Sequence, residues 1–184
     1  LLLIHQIPPK PGYLRVKIWR KLQALGAVLI KNSVYVIPRN EETLEDFQWV
    51  LKEIVQGGGE AAICTASFVE GLTDTQVERL FQEARNAEYA QIAADAHACL
   101  EATPTNPAMW SEEDRSVLEA EWSKLKKRLS SGEALDFFHA PGREAARSLL
   151  SDMERRAGEM KRAALDSKDS SGARAADLTG KTWV

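Results

Sequence analysis

The sequence predicts an α/β chain of the α+β type: a ferredoxin-like βαββαβ domain over residues 1–71, then an antiparallel three-helix unit over 72–165. Three observations predict it. Before Gly71, short β-rich stretches punctuated by Pro and Gly alternate with two helical segments of apolar period. After Gly71, three long segments carry apolar residues at helical spacing. The chain is 44% apolar and 28% charged over 184 residues, enough to bury a core, and has no apolar run near the roughly 20 residues of a membrane span. A winged helix followed by a helical domain is the alternative, since a basic helix and a hairpin could serve as recognition helix and wing. The strand before the basic helix argues against it.

Leu1–Ile7 is an apolar run with a polar interruption, a strand covered on at least one face. Pro8, Pro9, Pro11 and Gly12 end it and suit the start of a helix. Leu14, Ile18, Leu22 and Leu25 set that helix, and Gly26 stops it. Ala27–Ile30 and Ser33–Ile37 form a hairpin across Lys31-Asn32, closed by Pro38. A second helix from about Thr43 turns Leu44, Phe47, Leu51 and Ile54 inwards and ends at Gly57-Gly58-Gly59; Ala61–Val69 is the last strand. Thr73 and Gln76 then make a capping box for a helix to about Leu100. Ser111 caps a second helix with Leu118, Trp122, Leu125 and Leu129, Leu135–Phe138 is an apolar plug, and Pro141-Gly142 opens a third helix. Residues 166–184 have linker composition. The chain starts without methionine and stops at Trp183-Val184, so it reads as part of a longer protein.

The net charge of −3 conceals a strong asymmetry. Residues 1–40 carry seven basic side chains and no acid, so residues 41–184 hold all 27 acids against 17 bases, a net of −10. A positive end attracts phosphate, other anions or acidic protein surfaces. At 100° per residue, Lys17, Arg20 and Lys21 share one flank of the first helix, clear of its apolar stripe. Arg15 lies on the opposite shoulder beside Trp19, and Lys31 sits at the hairpin tip. Long cations so arranged can each neutralise one phosphate and release counterions, which makes Arg15, Lys17, Arg20, Lys21 and Lys31 the expected phosphate contacts, on DNA if the chain is a DNA-binding regulatory module.

Other chemistry finds little support. His5, His97 and His139 have no Cys or acid at a ligand spacing, and no metal site or cofactor is expected. Two cysteines make no disulfide framework, so a reducing cytoplasm is expected. No nucleophile triad, phosphate loop or carboxylate pair emerges, and no enzyme is expected. Trp49, Trp110 and Trp122 read as packing residues. Arg143, in the first turn of the last helix, is a candidate for a tetrahedral oxyanion.

The opening Leu-Leu-Leu-Ile-His-Gln-Ile-Pro-Pro-Lys-Pro, the run Tyr13-Leu14-Arg15-Val16-Lys17-Ile18-Trp19-Arg20, and Asn32-Ser33-Val34-Tyr35-Val36-Ile37-Pro38 resemble the N-terminal domain of the ChrB family. Asp136-Phe137-Phe138 and Pro141-Gly142-Arg143-Glu144-Ala145 fit the same family, and Thr179–Val184 looks like the first residues of its C-terminal domain. The resemblance implies a repressor of a chromate-resistance operon, released by chromate; a regulator doubles its half-site contacts on operator DNA by symmetry, so a homodimer is expected. Chromate is a tetrahedral dianion, for which Arg143 and Lys181 are the candidate contacts. The pattern is also similar to the middle domain of PaaX-type repressors and to small CRISPR-associated nucleases. The nucleases hold a metal on an acid at the end of the first strand, where this chain has His5-Gln6-Ile7. The competing reading is a sensory or interaction module whose basic end docks an acidic partner domain without touching DNA.

Overall fold

The computed structural model describes residues 1–10, 12–106 and 109–178, the side chains of 166–178 excepted. The described elements are, in order, β1 (Leu2–Gln6), α1 (Tyr13–Ala24), β2 (Val28–Lys31), β3 (Val34–Val36), α2 (Glu41–Gln56), β4 (Glu60–Cys64), α3 (Asp74–Ala102), α4 (Glu112–Ala134) and α5 (Arg143–Leu178). The chain divides into two compact units. One is Leu1–Glu88 with Gly132–Pro141, the other Tyr89–Ser131 with Gly142–Val184.

In the first unit the four strands lie in the order β2-β3-β1-β4, with every neighbouring pair antiparallel. This is the ferredoxin-like arrangement that the element order predicts. The winged-helix alternative falls, because the hairpin β2–β3 belongs to a four-stranded sheet in which β1 also pairs with β4, Leu2 opposite Cys64, and α1 and α2 both pack on one face. Asn32 turns the hairpin with φ 48°, a left-handed conformation that Asn tolerates better than most residues. The last strand is shorter than Ala61–Val69. β4 pairs with the five residues of β1 only, Leu2 opposite Cys64 and Gln6 opposite Glu60, and beyond Cys64 it has no strand to pair with.

Strand alternation sends Leu3 and Tyr35 to one face, where they meet Leu14, Ile18 and Leu22 of α1 and Phe47, Val50 and Ile54 of α2. The start of α2 is set by Asn40, whose side chain accepts from Thr43 N–H at 2.7 Å while the Thr43 hydroxyl oxygen accepts from Asn40 N–H at 3.0 Å. Thr43 is therefore a buried part of the cap and not the first helical residue.

The opposite face of the sheet is also covered. Val28 and Val36 pack with Val77 and Phe81 from the first turns of α3, joined by Phe68, Phe137 and Phe138. Phe81 meets Phe137 edge-on at 6.0 Å between centroids and Phe138 at 5.1 Å. Composition changes at Gly71, yet packing does not: the predicted boundary at 71/72 cuts through a core that α3 completes. The capping box that opens α3 forms, Thr73 N–H donating to Gln76 Oε1 at 2.9 Å and Gln76 N–H to Thr73 Oγ1 at 3.3 Å. Asp136 is buried and accepts the backbone N–H of Ala140, which fixes the turn after the two phenylalanines.

The second unit buries Tyr89, Ile92 and Ala96 of α3, Leu118, Leu125 and Leu129 of α4, and Leu150, Met153, Ala157 and Met160 of α5. Arg128 of α4 reaches Asp95 of α3 at 2.6 Å, and Lys161 of α5 reaches Glu119 of α4 at 2.9 Å. Helix α5 continues to Leu178 through the stretch from Asp166 whose polar composition predicts a linker. Among the described residues no helix is long and apolar enough to cross a membrane.

Candidate nucleic-acid interface

Helix α1 buries Leu14, Ile18 and Leu22, so the residues between them are turned outwards. The structure divides the five predicted DNA contacts into three groups. Lys17 and Lys21 lean together onto one carboxylate, Glu53 of α2; the Lys21 ammonium is 2.8 Å from it. Hydrogen bonding to Lys17, then to Lys21, holds the Glu53 carboxyl below its ordinary range, and the same contact raises the Lys17 ammonium. Arg15 donates to the backbone oxygen of Ile7 at 3.0 Å and lies on the far side of α1. Arg20 and Lys31 are exposed and make no ion pair among the described residues. One carboxylate between two lysines leaves the flank of Lys17, Arg20 and Lys21 with two net positive charges.

Two signals escape a reading of charge alone. Trp49 is not a packing residue: it is 62% exposed, with the Lys52 ammonium 4.7 Å from its ring centroid. Its position on α2 follows from Phe47, Val50 and Ile54 taking the inner face. With Tyr13, Lys17, Lys21 and Glu53 it lines a groove of about 420 Å³ between α1 and α2. Tyr13 and Val16 are also exposed on this side of α1, so cations and aromatic rings are interleaved there, whereas Trp19 is exposed on the shoulder of Arg15. Trp110 and Trp122 are partly buried, and Lys126 stands 4.5 Å over the Trp122 ring.

Of the two oxyanion candidates the structure describes one. Arg143 opens α5, is partly buried, and lies 3.7 Å from the Glu144 carboxylate. Lys181 lies outside the described residues, as does the Thr179–Val184 segment. His97 sits 3.4 Å from Glu101, and no group of three or more His, Cys, Asp or Glu among the described residues is placed to hold a metal. Cys64 and Cys99 are free thiols.

A family model described as Protein ChrB, N-terminal, matches residues 15–164. No curated protein and no solved structure matches the chain. The match runs from the third residue of α1 through most of α5, with the cations of the basic helix and the Asp136-Phe137-Phe138 turn included. The chain therefore belongs to the ChrB N-terminal family, which points to a regulatory protein of chromate resistance.

Proposed function

We propose that this chain is the DNA-binding part of a chromate-responsive repressor, and that the outward flank of α1 is its phosphate-binding face. The observation that carries the reading is the concentration of charge: Lys17, Arg20 and Lys21 on one flank, Lys52 across the groove, and no acid before residue 41. Each cation that meets a phosphate releases a counterion, so affinity falls with salt at a slope of about 0.9 per contact. Exposed Tyr13 and Trp49 add flat surfaces that can pack on sugar or base. The protein acts by binding and not by catalysis, needs no cofactor, works in the cytoplasm, and pairs as a homodimer so that two such faces meet two half-sites of operator DNA. Chromate is its effector.

The test is a salt titration of promoter DNA by fluorescence anisotropy. In Lys17→Ala/Arg20→Ala both net charges of the flank are lost, and the slope of log K against log salt should fall by about 1.8. An unchanged slope places the DNA face elsewhere. A second reading, docking of an acidic partner domain, is favoured by the apolar exposure of Val16 and Trp19 beside the cations. Under it the chain fails to bind duplex DNA even at low salt.

A further inference from the structure

A cavity of about 360 Å³ opens on the other shoulder of α1, away from Glu53. Its polar wall is His5, Arg15, Asn32 and Ser33, its aromatic wall Trp19 and Tyr35, and its floor is aliphatic. The fold brings these groups together for local reasons. Alternation along β1 turns His5 to the same side as Leu3, beneath α1. His5 N–H of the backbone donates to Ser33 oxygen at 3.0 Å, which holds the hairpin tip against β1. The His5 ring stacks on Tyr35 at 5.8 Å and 17°.

One group of this cavity is unfinished within the chain itself. Arg15 spends one N–H on Ile7 oxygen, which anchors its guanidinium, and makes no ion pair among the described residues. An anchored guanidinium with free donors matches the two oxygens of a carboxylate. The volume lies in the range of small-molecule pockets, and a bare tetrahedral ion would leave the aromatic wall and aliphatic floor uncovered.

We infer that this cavity binds a small organic anion with a flat unsaturated body, its carboxylate on Arg15 and its ring against Trp19 and the His5–Tyr35 stack. This site is independent of the DNA-binding reading, and it reassigns Arg15 from phosphate contact to ligand contact.

The test is an NMR titration of the full 184-residue chain with benzoate, with sodium sulfate at equal ionic strength as control. Benzoate should shift the His5 ring and Trp19 indole signals saturably, with Kd about 1 mM, as expected for a ligand of that size. Sulfate should not. Ser33→Leu, which fills the cavity and keeps every cation, and Arg15→Gln, at an exposed position, should each weaken benzoate about tenfold. Lys17→Ala/Arg20→Ala should leave benzoate binding unchanged, which separates failure of this site from failure of the DNA face. The inference is overturned if His5 and Trp19 show no saturable shift, if sulfate shifts them equally, or if Arg15→Gln binds benzoate as the parent does.

Discussion

If the flank of α1 meets phosphate as proposed, replacing Glu53 by Gln should tighten DNA binding. In the folded chain Glu53 neutralises one of the two lysines that flank it, so α1 offers two net charges from Lys17, Arg20 and Lys21. Glu53→Gln keeps the shape of the side chain and raises that count to three. Counterion release then predicts a slope steeper by about 0.9 and, at 0.1 M salt, affinity about eightfold higher. The Lys17 and Lys21 hydrogen bonds hold the Glu53 carboxyl low, so the brake remains charged throughout the neutral range, and only acid pH below the ordinary glutamate range would release it. Anisotropy titrations of a random-sequence duplex and of promoter DNA between about 50 and 200 mM salt read both quantities. Charge counting makes the design self-checking: Lys17→Ala/Glu53→Gln returns to two net charges and should recover the parent slope. If Glu53→Gln binds with the parent slope, phosphates do not reach this flank, and the reasoning from Lys17 and Lys21 is wrong.

Phe81→Ala should cost about 3–5 kcal/mol in urea unfolding, because Phe81 is buried against Phe137 and Phe138 as well as the sheet. Asp136→Ala should cost about 1–3 kcal/mol by leaving the buried Ala140 N–H without its acceptor, whereas Asp136→Asn, which keeps an oxygen there, should cost less. Gly26→Ala should lower the melting temperature, since Gly26 has φ 72° and an added Cβ would stand 3.1 Å from Leu135 Cβ. Burial lowers the His5 pKa, so the folded state favours the neutral ring. Stability should therefore be complete above the ordinary histidine value of about 6.5 and be lost as pH falls from there through the folded-state value. His5→Phe should remove that part of the pH dependence in urea midpoints measured at successive pH values.

The first sixty residues were legible because their signals are local. Leu14, Ile18 and Leu22 repeat at helical spacing, Asn32 sits where a hairpin needs a left-handed residue, and three glycines end α2. What stayed hidden depends on partners distant in the chain. No local rule ties Val77 and Phe81 to Val28 and Val36, so the compositional break at Gly71 looked like a domain boundary. The same holds for the site. Lys17, Arg20 and Lys21 share a flank by arithmetic, but Glu53 lies thirty-two residues beyond Lys21, and only the packing of α2 on α1 brings it there. At about 100° per residue Trp49 lies across the helix from Phe47, Val50 and Ile54, and also from a stripe through Leu44 and Leu51, so its exposure is legible in the spacing that a packing role ignores.

Covering both faces of the sheet decides where a polyanion can bind. Many four-stranded sheets of this topology meet single-stranded nucleic acid through aromatic residues on the open face. Here that face holds Phe81, Phe137 and Phe138 in its core, and they are committed to packing. A strand laid across it would have to displace a hydrophobic cluster whose removal costs several kcal/mol for one ring alone, about the whole margin available from one or two stacked bases. The helical layer carries the opposite arrangement: its apolar residues are buried beneath it, and its outer surface bears Lys17, Arg20, Lys21 and the exposed rings of Tyr13, Trp19 and Trp49. A phosphate backbone approaching this unit therefore gains counterion release on α1 at no cost in core contacts, and Glu53 sets how much of that gain is realised.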